Sequence, residues 1–160
     1  MSYNPQAFGA IRNIQNRYDS SFSGQQVSTT LVELNSTRVE YTPSASATSV
    51  IYEAMYSFAW TPDRYQSFMN LRLQYSTDAS TWTTIDSSKV FAGNGPSNND
   101  TRWQLYSTVF TLPAWTGPRY LRLAARSHST SDEFKWGRSY TSTSEGPGFS
   151  PMISVYSLEA

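Results

Sequence analysis

Residues 41–60 read YTPSASATSVIYEAMYSFAW. A turn-rich polar run, Thr42-Pro43-Ser44-Ala45-Ser46, opens the stretch, and a long strand pattern follows it. Val50, Tyr52, Ala54, Tyr56, Phe58 and Trp60 fall on one face at period two, with Ile51, Glu53, Met55, Ser57 and Ala59 on the other. Alternation of β-branched and aromatic residues is the pattern of a strand with one buried face. The aromatic face is nearly unbroken, which places this strand at the centre of a core. The remaining strands are expected to pack on it or beside it.

Working outward, Val27–Leu34 alternates like a strand, Asn35-Ser36 reads as a turn, and Thr37–Tyr41 as a short extended piece. Thr61-Pro62-Asp63 ends the central strand, because proline donates no ladder hydrogen bond and presets a turn. Ser67–Ser76 alternates with Met69, Leu71, Leu73 and Tyr75 inward, and Thr81–Ile85 returns as a hairpin carrying Trp82 and Ile85. Residues 93–101 form a Gly- and Asn-rich loop. Arg102–Leu112 is a strand stopped by Pro113, Trp115–Pro118 is a tight turn, and Arg119–Arg126 alternates strictly. Residues 127–150 lack periodicity and are too long for a plain connection in a compact domain. Met152–Leu158 closes the chain as a strand. Strands at this spacing with no helix between them predict an all-β, antiparallel β-sandwich of the jelly-roll kind.

The first 26 residues differ from the rest. Asn4 and Pro5 suit a helix start, and Phe8, Ile11, Ile14 and Tyr18 recur at helical spacing, although Gly9 weakens a helix there. Residues 1–26 are thus expected as a short helix or arm, and 27–160 as the sandwich. The arm is either a frayed terminus or a docking element that lays Phe8, Ile11, Ile14 and Tyr18 on a neighbouring subunit.

Composition removes several function classes. The 160 residues include no cysteine, so neither disulfides nor thiolate metal sites are available. Twelve basic and 12 acidic residues give zero formal charge without a basic run, which argues against nucleic acid as a partner. No apolar segment approaches a signal peptide or a membrane span, so no membrane partner is expected. His128, the single histidine, sits between serines, and Asp132 and Glu133 are adjacent and so diverge. No nucleophile elbow, zinc-protease, P-loop or dinucleotide motif occurs, and no loop has EF-hand-like calcium spacing. The expectation is a protein that is not an enzyme, with no cofactor and no metal.

Aromatic residues make up 15% of the chain and ten of its 12 cations are arginine, a set enriched at interfaces and also usable inside a sandwich core. Trp115, Phe134, Trp136 and Tyr140 fall in turns or in the aperiodic 127–150 segment. They are expected either at a subunit interface or as a glycan-binding platform beside the 93–101 loop.

Three stretches resemble one family pattern. They are Tyr41-Thr42-Pro43-Ser44 with the aromatic strand behind it; Tyr120–Arg126 with Asp132–Gly137; and the closing Pro151–Glu159. Together these are similar to the jelly-roll domain of tailed-phage virion proteins, cyanophage-like ones in particular, which occurs in tail-fibre heads and small capsid proteins. A second stretch, YSTDASTW at 75–82, is similar to a hairpin of galactose-binding-like lectin modules. The phage resemblance implies a homotrimer without catalytic use of the fold, located in the virion and assembled in the host cytoplasm. About 36 residues precede the region of resemblance, where fibre proteins carry a long shaft. That departure favours a capsid decoration or cement protein, with capsid or tail proteins of the same virion as partners. The alternative is a tail-fibre or tail-appendage tip that binds a host-surface polysaccharide.

Overall fold

The computed structural model describes residues 10–20, 22, 24–61, 66–85, 89–94, 102–128, 133–137 and 149–159. The described chain is an antiparallel β-sandwich of two sheets. Sheet A is organised around β5 (Ala47–Thr61), the strand whose alternation dominates the sequence. Along one edge β5 pairs over its length with β9 (Arg102–Pro113). Its other edge is shared: β12 (Met152–Glu159) takes the first half and β11 (Glu133–Trp136) the second. Outside these lie β1 (Ile11–Arg17) on β12 and β2 (Gln25–Val27) on β11.

Sheet B repeats the shared-edge arrangement. β10 (Arg119–Ser127) pairs with β6 (Gln66–Ser76) on one side, and with β3 (Val32–Glu33) and β4 (Val39–Tyr41) on the other. The far edge of β6 takes β7 (Thr83–Thr84) and β8 (Lys89–Asn94). The chain passes repeatedly between sheets, so few strands adjacent in sequence pair with each other.

The core lies between the facing sheets. Val50, Tyr52, Ala54, Tyr56 and Phe58 of β5 are all at most 1% exposed, as their alternation requires. Opposite them sit Met69, Leu71, Leu73, Leu121 and Leu123, equally buried. Burying a side chain of this size contributes about 1.5–3 kcal/mol, so this double layer dominates stability. The two tyrosine hydroxyls that β5 buries in it are satisfied. The Tyr52 hydroxyl donates to the Thr37 carbonyl oxygen at 2.7 Å, and the Tyr56 hydroxyl shares a hydrogen bond with Thr108 Oγ1. Burial pushes both phenols well above the ordinary tyrosine range.

Three expectations are corrected. Residues 11–17 form a strand and not a helix, because the open edge of β12 supplies ladder partners from Ile11–Leu158 to Arg17–Ile153. Residues 27–34 are not one strand; β2 ends at Val27, and β3 crosses to sheet B at Val32. The 127–150 segment contains β11, which inserts beside the second half of β5. Strand β8 is a further element beyond the expected set.

Candidate functional site

The outer faces of the two sheets differ in chemistry. On sheet A, alternation turns Glu53 and Met55 outward, and the register sets Met55 between Met152 and Ser107, and Glu53 between Ser154 and Val109. Met55, Met152, Leu105 and Val109 are 41–47% exposed. Farther across the face, Ile11 and Ile14 on β1 are more exposed still, as is Tyr18 just beyond it. The expected docking residues Ile11, Ile14 and Tyr18 therefore stand in solvent at the margin of an apolar sheet face. Phe8, expected with them, lies outside the described residues.

Sheet B presents arginine. Glu33 on β3 accepts hydrogen bonds from Arg38 and from Arg122 of β10. Arg122 also donates from Nε to Gln74 Oε1 at 2.9 Å. Its guanidinium carbon lies 3.7 Å from the Trp82 ring centroid, and that of Arg38 lies 5.1 Å from it. Burial alone would raise the Glu33 carboxyl; the Arg38 hydrogen bond and the charges of Arg122 and Arg38 overcome it and hold the carboxyl below its ordinary range. Arg122 is drawn down by burial, with Glu33 opposing, and Arg38 is drawn up chiefly by its hydrogen bond to Glu33. The cluster is a closed network: each guanidinium is held by Glu33 and stacked on Trp82. It pins the 33–38 turn and the 82–84 hairpin to β10 and β6.

The stretches quoted for the family resemblance meet in space. The Tyr41 hydroxyl and Ser157 Oγ share a 2.7 Å hydrogen bond, and the Ser44 amide donates to the same Ser157 oxygen. Glu159 accepts from Ser46 Oγ at 2.6 Å and pairs with Arg12 of β1 at 3.3 Å. Tyr41, Ser44 and Ser46 thus anchor to the closing strand, while Arg119, at the start of the arginine-bearing strand, pairs through its backbone with Tyr41. Arg12 is 59% exposed, so its ion pair orients β1 more than it stabilises the fold.

The four aromatics expected at an interface or glycan platform separate. Phe134 and Trp136 are 2% and 0% exposed, and belong to the core. Trp136 packs on Tyr56 and Phe58 at centroid distances of 4.8 and 5.1 Å, and its indole N–H donates to the Asn35 carbonyl at 3.0 Å. Neither ring can reach a sugar or a subunit without unfolding β11, which corrects that expectation. Trp115 is half-buried against Tyr41, with the Arg119 guanidinium carbon 5.2 Å from its ring centroid. Tyr140 and most of the 93–101 loop lie outside the described residues.

No composition signal marks one local concavity. Phe68, Asn70, Arg126 and His128 meet where β6 and β10 end, around a cleft of about 130 Å³. In the sequence His128 stands alone between serines. The β10–β6 register was the missing information, since it places Arg126 opposite Asn70. Among the described residues, no group of three or more His, Asp or Glu side chains could hold a metal ion, and no helix is long and apolar enough to cross a membrane.

No family model matches the chain, and no curated protein matches it. Among solved structures, it is similar to dimeric latent PorU from Porphyromonas gingivalis, with 10% identity and a TM-score of 0.47. It covers 95% of this chain but 13% of that one, so the chain spans a small part of PorU's length. Eiger TNF from S. frugiperda is similar over 93% of this chain and 96% of its own, with 12% identity and a TM-score of 0.40. Likeness this slight carries no argument about function.

Proposed function

We propose that the chain is a non-enzymatic structural protein of a phage virion, a capsid decoration or cement protein that associates as a homotrimer. The outer face of sheet A carries this reading. Met55, Met152, Leu105 and Val109 stand together on it, each 41–47% exposed. Contiguous apolar surface of this kind marks an interaction site. The occupant we favour is another copy of this chain. Among the described residues, Glu53 is the charged side chain paired beside this group, and interfaces between identical subunits are apolar and poor in charge at their cores. Zero formal charge also removes the long-range repulsion that keeps copies of one chain apart.

Ile11, Ile14 and Tyr18, on the outermost strand and just past it, are exposed, and in this reading they contact the capsid beyond the trimer. Such a protein would staple neighbouring capsid subunits by burying these side chains. Because β1 is a strand of sheet A, deleting it would damage the fold, so point substitutions are the appropriate probe.

Immunogold labelling of intact particles from the source lysate, with antibody to this chain, tests the assignment. Label over the heads is expected. Label confined to tail tips would support the alternative, a tail appendage that binds host polysaccharide. Unlabelled particles would overturn both virion readings.

A further inference from the structure

Arg119 is a cation on the core-facing side of its strand. It stands at period two with Leu121, Leu123 and Ala125 of β10, all 0% exposed. β10 begins at Arg119, so the side chain lies at one end of the sandwich, where its backbone pairs with Tyr41. Its guanidinium carbon is 5.1 Å from the Tyr75 ring centroid and 5.2 Å from that of Trp115, and both rings pack against the core. We propose that this ring-held guanidinium binds an oxyanion, with the Trp115 indole N–H as the second donor.

Two neighbouring donors lack an acceptor. A cation on the inner side of a strand is ordinarily paired with a carboxylate. Arg119 is half-buried, and among the described residues it makes no hydrogen bond or ion pair. Arg38 and Arg122, by contrast, are both paired with Glu33. The carboxylates next to Arg119 in register are turned elsewhere. Glu40 is exposed on the other side of β4, between the buried Val39 and Tyr41. Asp78, two past the Ser76 that pairs with Tyr120, accepts from Ser76 Oγ and from the Ser80 and Thr81 amides at 2.7–2.8 Å. The second donor is the Trp115 indole N–H, which is buried and has no hydrogen-bond partner. The Trp136 indole N–H, equally enclosed, donates to the Asn35 carbonyl. A dried N–H without an acceptor costs free energy, and one beside an unpaired cation points to a bound anion as its partner.

The donors define the ligand. Guanidinium and indole N–H groups only donate, so the ligand must accept, and the fixed positive charge selects an anion. The planar fork matches two oxygens of one group, which favours carboxylate, phosphate or sulfate over a spherical halide. Stacking on Tyr75 and Trp115 holds the guanidinium in place before anything binds, so little side-chain order remains to be lost.

NMR titration of the full chain, read on the tryptophan indole N–H groups and the backbone amides, tests the proposal. The probes are phosphate, sulfate, acetate and glucuronate, with glucose and sodium chloride at matched ionic strength as controls. At least one oxyanion should shift the Trp115 indole, identified by its loss in Trp115→Phe, together with the Gly117 and Arg119 amides. Arg119→Gln removes the charge, and Trp115→Phe keeps the packed ring but removes the N–H. Each should weaken binding about tenfold or more, read on the backbone amides. Trp115→Phe gives its reading even if Arg119→Gln disturbs this end of the sandwich. A stronger response to glucuronate than to acetate supports an oxyanion carried on a sugar, and equal responses support a free one. The proposal is overturned if no oxyanion shifts these groups at ~10 mM, a weak-binding limit. An equal shift with chloride, or undiminished binding in either variant, overturns it as well. The site does not depend on the outer face of sheet A, and particle labelling and native mass do not bear on it, so the two readings fail separately.

Discussion

The hydroxyl of Tyr52, on the central strand of sheet A, donates a 2.7 Å hydrogen bond to the carbonyl oxygen of Thr37, on the sheet B side of the core. Thr37 in turn accepts the Leu123 amide at Oγ1 and donates from it to the Leu34 carbonyl. One buried chain of hydrogen bonds therefore crosses the sandwich. Tyr52→Phe should leave the Thr37 carbonyl unsatisfied in a dry core, at a cost of about 1–3 kcal/mol. Urea denaturation of both proteins measures it; an unchanged midpoint would show that the bond contributes nothing.

Trp136 distinguishes a core from a binding platform. As a fully buried ring packed on Tyr56 and Phe58, its truncation to alanine should cost about 3–5 kcal/mol, a large fraction of a domain's stability. The variant should show a strongly lowered Tm and a poor yield of folded protein. A variant with wild-type Tm would place the ring outside the core.

Glu33 sets an acid-side dependence. Its carboxyl is held below the ordinary range in the folded state, so the stability it supplies is present above the unfolded value of about 4.3. That stability is lost as pH falls through the folded value. The side chain is 30% exposed, and solvent screening limits the effect to about 1 kcal/mol. Glu33→Gln should therefore be less stable than wild type at pH 7, with the gap closing as the solution is acidified below pH ~4. Thermal melts across that range would read it, and a gap independent of pH would rule out the ionised network as its source.

Gly137 follows β11 with φ of 67°, and a Cβ there would run into the Phe22 ring. Gly137→Ala should thus combine left-handed backbone strain with displacement of Phe22, costing about 1–3 kcal/mol. Phe22→Ala in the same background should recover part of the loss by removing the clash. If the two substitutions simply add, the ring is not what excludes a side chain.

Period-two alternation made β5, β6, β9, β10 and β12 legible, because each is long enough for its buried face to repeat. Phe134 and Trp136 also alternate, but β11 has four residues inside a Ser-rich segment, and its burial comes from pairing with Phe58–Thr61, far away in sequence. Local pattern holds no trace of that pairing. At the N-terminus the pattern misled for a definite reason. One extra residue sits between the Arg12–Ser157 and Gln15–Val155 pairs, with Asn13 at φ 49°. This bulge lets Ile11 and Ile14, three apart, lie on the same outward side, the spacing a helix would give. The apolar face of sheet A could be read in part, since Met55 was set opposite the aromatic face. That Met152, Leu105 and Val109 join it follows only from strand register.

Light scattering on the purified chain tests the central claim most directly, read for wild type beside Met55→Lys/Val109→Lys. Both positions are exposed, so the substitutions should leave the sandwich folded. The wild type is expected near three times 18.0 kDa, and the variant near 18.0 kDa with an unchanged Tm or one lowered only by loss of assembly. A wild-type chain that is monomeric at high concentration, or a double variant that remains trimeric, would contradict assembly through the outer face of sheet A.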